Sequence, residues 1–170
     1  QSIYELVQKI KNGETKPGKE AVFIQGTPPD LKTIPYPTFE NMDLKLYGDW
    51  TKRIIPVVTT RGCYNHCNFC SDWTFYKKFR KREISSIIDE FKHHKLKYDT
   101  FVFQTNDLIL NVDLNHLSSL CNRIILNSDA IGHPTLTGQM SIRKGMTFEL
   151  FRKMNRAGFN TITFGVESFS

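Results

Sequence analysis

The chain has 170 residues, 39% hydrophobic and 24% charged, enough for one globular core and outside the composition of a disordered segment. No apolar run approaches the roughly 20 residues of a bilayer crossing. The start is amphipathic rather than a signal peptide, so a membrane partner is set aside and a cytoplasmic protein is expected. The net charge of +6 permits an anionic partner. Its main concentration, Lys77, Lys78, Arg80, Lys81 and Arg82, reads as a solvated helix entrance, and nucleic acid is disfavoured because no second basic patch accompanies it.

Ile3, Leu6, Val7 and Ile10 recur at i, i+3, i+4 and i+7 with Gly13 following, which predicts a helix over residues 2–12. A short strand is expected over 21–24. Residues 26–39 hold four of the seven prolines, Pro28, Pro29, Pro35 and Pro37, which disfavour helix and interior strand alike, so a linker is expected over 26–53. Residues 54–60 read as a buried strand in which Pro56 is tolerated near the start or on an edge. Ile84, Ile87, Ile88 and Phe91 predict a helix over 83–96. Further strands are expected at 100–104, 138–142 and 161–166. Between them fall a helix over 114–127 capped by Asp113 and another over 148–157, capped by Thr147 and closed by Gly158. Alternating strand and helix imply an α/β fold with parallel strands, both faces buried or curved into a barrel, built from about four βα units over 54–170.

The first strand runs directly into Cys63, Cys67 and Cys70. Three thiolates on one short loop point to a soft metal or a cluster, and three is one fewer than a closed structural site takes. The Cys-x3-Cys-x2-Cys spacing is neither the paired Cys-x2-Cys of zinc ribbons nor the ferredoxin run. A competing reading completes the trio with His66 or a distant ligand as a zinc-stabilised binding module, with nucleic acid its partner. Against it stand the adjacency of residues 66 and 67 and the regular βα alternation. Cys121 shares an apolar helix face with Leu117, Leu120 and Ile124 and reads as core, while His93 and His94 read as exposed helix residues.

Ligands of βα folds sit at the carboxyl ends of strands, and there the chain carries the cysteines, then Asn106 and Asp107 with Asn111 nearby, then Arg143, then Glu167. Taken singly, Arg143 is as readily a surface ion-pair partner, Glu167 a strand-end carboxylate, and Asp107 a cap on the turn before Asn111.

The cysteine trio, with Phe69 just before the last cysteine, resembles the radical SAM superfamily. The runs Met140-Ser141-Ile142-Arg143 and Phe164-Gly165-Val166-Glu167-Ser168 are similar to segments of that family. The wording of residues 29–37 resembles the segment that joins a cobalamin-binding domain to the radical SAM domain in one subgroup. The resemblance implies the first four strands of a partial (βα)6 barrel over 54–170, preceded by the linker and, over 1–25, by the end of an upstream cobalamin-binding-like domain. It implies an enzyme in which Cys63, Cys67 and Cys70 hold a [4Fe–4S] cluster that reductively cleaves S-adenosylmethionine to a 5′-deoxyadenosyl radical. Cobalamin is implied for the longer protein, an electron donor is the implied partner, and the fragment alone is expected to be inactive. Phe69 is then expected near the adenine, the backbone around Asn106 and Asp107 near the methionine amino group, Arg143 near the carboxylate and Glu167 near the ribose. Thr105-Asn106-Asp107 departs from the usual Gly-Gly-Glu-like sequence. The substrate is not legible.

Overall fold

The structure is a computed structural model that describes residues 3–14, 28–43, 46, 54–76 and 78–166. The chain divides into two units, residues 1–34 and 35–170. In the first, the amphipathic run forms helix α1 (Ile3–Lys11), and none of its residues is buried. The helix closes where Gly13 adopts φ 71° and its N–H bonds Ile10 O at 3.1 Å. The strand expected over 21–24 lies outside the described residues.

In the second unit the elements follow in order: β1 (Ile54–Val57), β2 (Thr60–Arg61), α2 (Asp72–Tyr76), β3 (Arg80–Lys81), α3 (Ile84–Tyr98), β4 (Val102–Thr105), α4 (Leu114–Leu126), α5 (Ser128–Ile131), β5 (Thr135–Met140), α6 (Phe148–Arg156) and β6 (Phe159–Phe164). The main sheet has the order β1-β4-β5-β6, every pair parallel. This is the α/β architecture expected of a partial barrel. β1 lies at the sheet edge, and Val57 O faces β4 by accepting the Asn106 N–H, so the backbone of Pro56 one residue earlier faces the open edge and its missing N–H breaks no interior ladder.

Apolar side chains that alternate along β1 and recur on the helices form one core. Ile55, Val57, Phe103, Leu136, Met140 and Phe159 from the sheet meet Ile87, Phe91, Leu117, Leu120, Ile124 and Met154 from α3, α4 and α6. Phe91 and Phe103, both fully buried with ring centroids 4.5 Å apart, join helix to sheet, each burial contributing on the order of 2–3 kcal/mol. The caps form as the sequence dictates: the Asp113 side chain accepts the His116 N–H and the Thr147 hydroxyl accepts the Leu150 N–H.

Several expectations are corrected. Among the described residues one face of the sheet carries the core, while Ile54, Pro56, Gln104, Gln139, Thr161 and Thr163 on the other stay exposed, because four strands do not close a barrel around them. The third strand begins and ends earlier than expected. It runs from Thr135, whose N–H bonds Phe101 O, to Met140, which leaves Arg143 three residues beyond its end. The basic run is not a solvated helix entrance. Arg80 and Lys81 form β3, and Arg82 is buried against Glu90, while Lys77 lies outside the described residues. His94 is fully buried rather than exposed, because Tyr36 and Phe39 lie against α3. There Phe39 faces His94 and Tyr98, Tyr36 faces His93, and the Tyr98 hydroxyl accepts the Phe39 N–H at 2.9 Å. Among the described residues no helix is long and apolar enough to cross a membrane.

Candidate functional site

The cysteine segment is an excursion from the edge of the sheet. β2 and β3 pair antiparallel, Thr60 with Lys81 and Arg61 with Arg80, and this two-rung hairpin closes residues 62–79 into a loop that carries α2. Gly62 opens the loop at φ 95°, and a Cβ there would lie 2.4 Å from the Lys78 carbonyl oxygen. Only glycine satisfies both the left-handed backbone and that approach.

Within the loop Cys63, Cys67 and Cys70 are free and half-buried. The Cys63 sulfur accepts the Asn65 N–H at 3.3 Å, the Cys70 N–H bonds Cys67 O at 3.0 Å, and the Cys70 sulfur lies 3.8 Å from Asp72 Oδ2. Burial raises the pKa of the Cys63 thiol. The Asn65 N–H opposes the rise and the neighbouring Cys67 and Cys70 add to it, so the sulfurs sense one another. Among the described residues no three His, Cys, Asp or Glu side chains converge on one ion position. Three soft thiolates on one loop are the donor type that an iron–sulfur cluster takes. His66 is exposed and turned edge-on to Trp73, with ring centroids 5.0 Å apart.

The loop rests on the carboxyl ends of the neighbouring strands. After β4, Asp107 turns back under β1. Its Oδ1 accepts the N–H groups of Thr59 and Thr60, both at 2.8 Å, and its Oδ2 accepts the Thr59 hydroxyl. Asp107 thus braces the entry to the loop rather than capping the turn before Asn111. Burial pushes its carboxyl up to about 6, against the pull of those hydrogen bonds. Asn106 is exposed and holds Val57 O through its backbone N–H at 2.8 Å. Asn111, fully buried, clasps Ser141 with both ends of its amide, donating to Ser141 O at 2.8 Å and accepting Ser141 N–H at 3.1 Å. That clasp extends the β4–β5 pairing beyond the strands and holds the exit of β5 in place.

Arg143 follows on that exit. Its Nη1 donates to Asn111 O and Val112 O at 2.9 and 2.5 Å, and its guanidinium lies 5.2 Å from the centroid of the Tyr64 ring. Tyr64 belongs to the cysteine loop, and its hydroxyl is 3.3 Å from Ser141 Oγ. Among the described residues Arg143 thus bonds backbone carbonyls rather than a carboxylate. It ties the β4 and β5 exits to the loop and lines a cavity of about 530 Å³ with Phe79, Lys81, Val112 and Asp113. Phe69 is 74% exposed on the loop, a free ring beside the cysteines. Glu167 lies outside the described residues. Of the residues expected at the site, the structure joins Arg143 to the loop through Tyr64 and Asp107 through Thr59 and Thr60. The roles of Thr59, Tyr64 and Arg82 escape sequence reasoning, and the recurrence of Asn111 near a strand end was the only signal for the amide clasp.

A trio of thiols on a loop that leaves the first strand of a parallel βα sheet, braced by the exits of the next two strands, also has a match in sequence: the profile of the Radical SAM superfamily covers residues 57–170. The chain belongs to that superfamily. Among its curated relatives, the cytidylyl-2-hydroxyethylphosphonate methyltransferase of Streptomyces wedmorensis is 27% identical over 149 residues, which are 82% of this chain and 27% of that protein. The anaerobic magnesium-protoporphyrin IX monomethyl ester cyclase of Rubrivivax gelatinosus is 26% identical over 124 residues, 72% of this chain and 22% of that one. The chain thus spans about a quarter of the length of these two relatives. In fold it is similar to the radical S-adenosylmethionine methyltransferase TsrM of Kitasatospora setae, solved with tryptophan and a SAM analogue. There the TM-score is 0.63 and the identity 17%, over 69% of this chain and 22% of that one. A second structure of TsrM holds cobalamin and a [4Fe–4S] cluster.

Proposed function

We propose that this chain is the cofactor-binding part of a radical SAM enzyme, with Cys63, Cys67 and Cys70 holding a [4Fe–4S] cluster and S-adenosylmethionine at the mouth above the strand ends. The observation that carries it is the half-buried thiol trio at the edge of a parallel βα sheet, with Tyr64 and Arg143 joining it to the exits of β4 and β5. What the cluster supplies when bound is one-electron chemistry on the sulfonium of S-adenosylmethionine. The chain's own residues supply place and surroundings. Phe69 offers an exposed ring for the adenine, Asn106 an exposed amide at the exit of β4, and Arg143 a positive charge toward the methionine carboxylate. Glu167 is assigned the ribose on resemblance alone. A protein electron donor is the expected partner, and the site is expected to work in the cytoplasm.

Methyl transfer is the reaction class we favour, supported by the methyltransferases among its relatives. Cobalamin is proposed for the longer protein on two grounds, the linker wording of residues 29–37 and the cobalamin held by TsrM. In keeping with that linker, residues 1–25 are proposed as the end of an upstream domain.

The test is anaerobic reconstitution with iron and sulfide. A brown, oxygen-bleached protein with about four irons per chain, whose reduced EPR spectrum changes on adding S-adenosylmethionine, supports the assignment. A colourless protein retaining one zinc overturns it. In the full-length protein, S-adenosylhomocysteine or 5′-deoxyadenosine released under reductant identifies the reaction class.

A further inference from the structure

Val58, Thr59 and Thr60 form the short step between β1 and the cysteine loop, and two buried residues of opposite charge hold it from either side. Asp107 takes the N–H groups of Thr59 and Thr60 and the Thr59 hydroxyl. Arg82 takes the carbonyls, its Nη1 donating to Val58 O at 2.8 Å and its backbone N–H to Thr59 O at 3.0 Å. Asp107 is 5% exposed and Arg82 8%. Arg82 is anchored in turn by Glu90 and by Ser86 Oγ at 3.0 Å. Thr60 Oγ1 is buried without a partner, so at that residue the backbone alone makes the tie.

A carboxylate costs more to bury than it returns in stability unless its place is over-determined by donors, and an apolar residue would fill the same space at lower cost. What Asp107 does that an apolar residue would not is fix two successive N–H groups on one oxygen, which sets the direction in which Arg61, Gly62 and Cys63 leave the sheet. We propose that Asp107 is a positioning residue for the cysteine loop, acting through Thr59 and Thr60 rather than by touching the bound nucleoside. This rests on the assignment of Cys63, Cys67 and Cys70 to a cluster. Asp107 acts from behind the ligands, like the outer partners that orient metal-binding side chains.

The experiment compares wild type, Asp107→Asn, Asp107→Ala and Thr59→Val in the full-length protein, each reconstituted anaerobically. Three quantities are read: iron per chain, the rate of iron loss to a chelator, and the EPR change on adding S-adenosylmethionine. Asparagine keeps an acceptor for the two N–H groups, and its NH2 meets the Thr59 hydroxyl turned to accept. Asp107→Asn should therefore hold iron near the wild-type level and keep the EPR change. Asp107→Ala should lose iron about tenfold faster and Thr59→Val a few-fold faster. Wild-type iron loss in both Asp107→Ala and Thr59→Val overturns the proposal. So does an Asp107→Asn protein that keeps its iron but no longer responds to S-adenosylmethionine, since the charge would then act on the nucleoside itself. If Asp107→Ala does not fold, Thr59→Val against Asp107→Asn decides on the same two criteria. A wild type that binds no four-iron cluster sinks the cluster assignment instead, so the two failures are distinguishable.

Discussion

Cys121 stands on α4 beside Leu117, Leu120 and Ile124, fully buried, where burial pushes its thiol up to about 12. Cys63, Cys67 and Cys70 stand on a loop outside the sheet, half-buried, with a backbone N–H aimed at one sulfur and the charges of two neighbours felt by it. The same side chain is thus a small apolar filler in one region and, on the proposed assignment, a ligand in the other. What separates them is access: partial exposure, a backbone donor and neighbouring thiols on a loop on one side, a close-packed wall of aliphatic carbon on the other.

The strongest way to break this comparison is to exchange sulfur for oxygen in each region. Serine at Cys63, Cys67 or Cys70 should take the reconstituted protein from about four irons to almost none, whereas Cys121→Ser should leave iron unchanged. Loss of iron in the Cys121 variant would mean that α4 feeds a fourth ligand to the site. Next in size is Gly62→Ala, which forces a left-handed backbone and a Cβ onto the Lys78 carbonyl. It should cost about 1–3 kcal/mol of local order and lower bound iron several-fold, while the region around Cys121 keeps its near-UV circular dichroism.

The charged floor under the loop sharpens the contrast through pH. Burial lifts the Asp107 carboxyl from 3.8 to about 6 in the folded chain, so the folded state binds this proton more tightly than the unfolded one. Its contribution to stability is then fullest below pH 3.8 and is lost as pH rises through 6. A shift of about two pKa units corresponds to about 3 kcal/mol. Between pH 4 and pH 7 the stability of Asp107→Asn relative to wild type should therefore improve by most of that amount, about 2 kcal/mol, measured as urea midpoints. A difference that does not move with pH would remove the buried carboxylate from this account. The smallest expected effect is the stability change in Cys121→Ser, a loss of about 1–2 kcal/mol from placing a hydroxyl among aliphatic side chains, seen as a lower melting temperature.

Local signals were legible wherever the chain repeats them. The i, i+3, i+4 spacing marked α1 and α3 to within two residues, and Asp113 and Thr147 capped the helices they were expected to cap, because a cap and its N–H lie three residues apart. The hairpin of β2 and β3 was not legible, since strands of two residues carry no alternation. Nor was the burial of His94, which an arm more than fifty residues earlier in the chain covers. Asp107 was found at its strand end, but its partners Thr59 and Thr60 were not. Its partners lie 47 and 48 residues away, and nothing local in sequence distinguishes a carboxylate that faces a ligand from one that turns beneath the next strand.

By itself the amino-acid sequence determined the family, the parallel alternation of strand and helix, the trio of thiols and the inertness of Cys121, all written in spacing and short-range chemistry. Tertiary structure alone decided which strand exits meet: Asp107 under Thr59 and Thr60, Asn111 with Ser141, and Arg143 beside Tyr64. The reason is physical. Helices and caps close within a turn, whereas a parallel sheet brings together residues whose separation is set by the length of each crossover, and only the folded register says which of them touch.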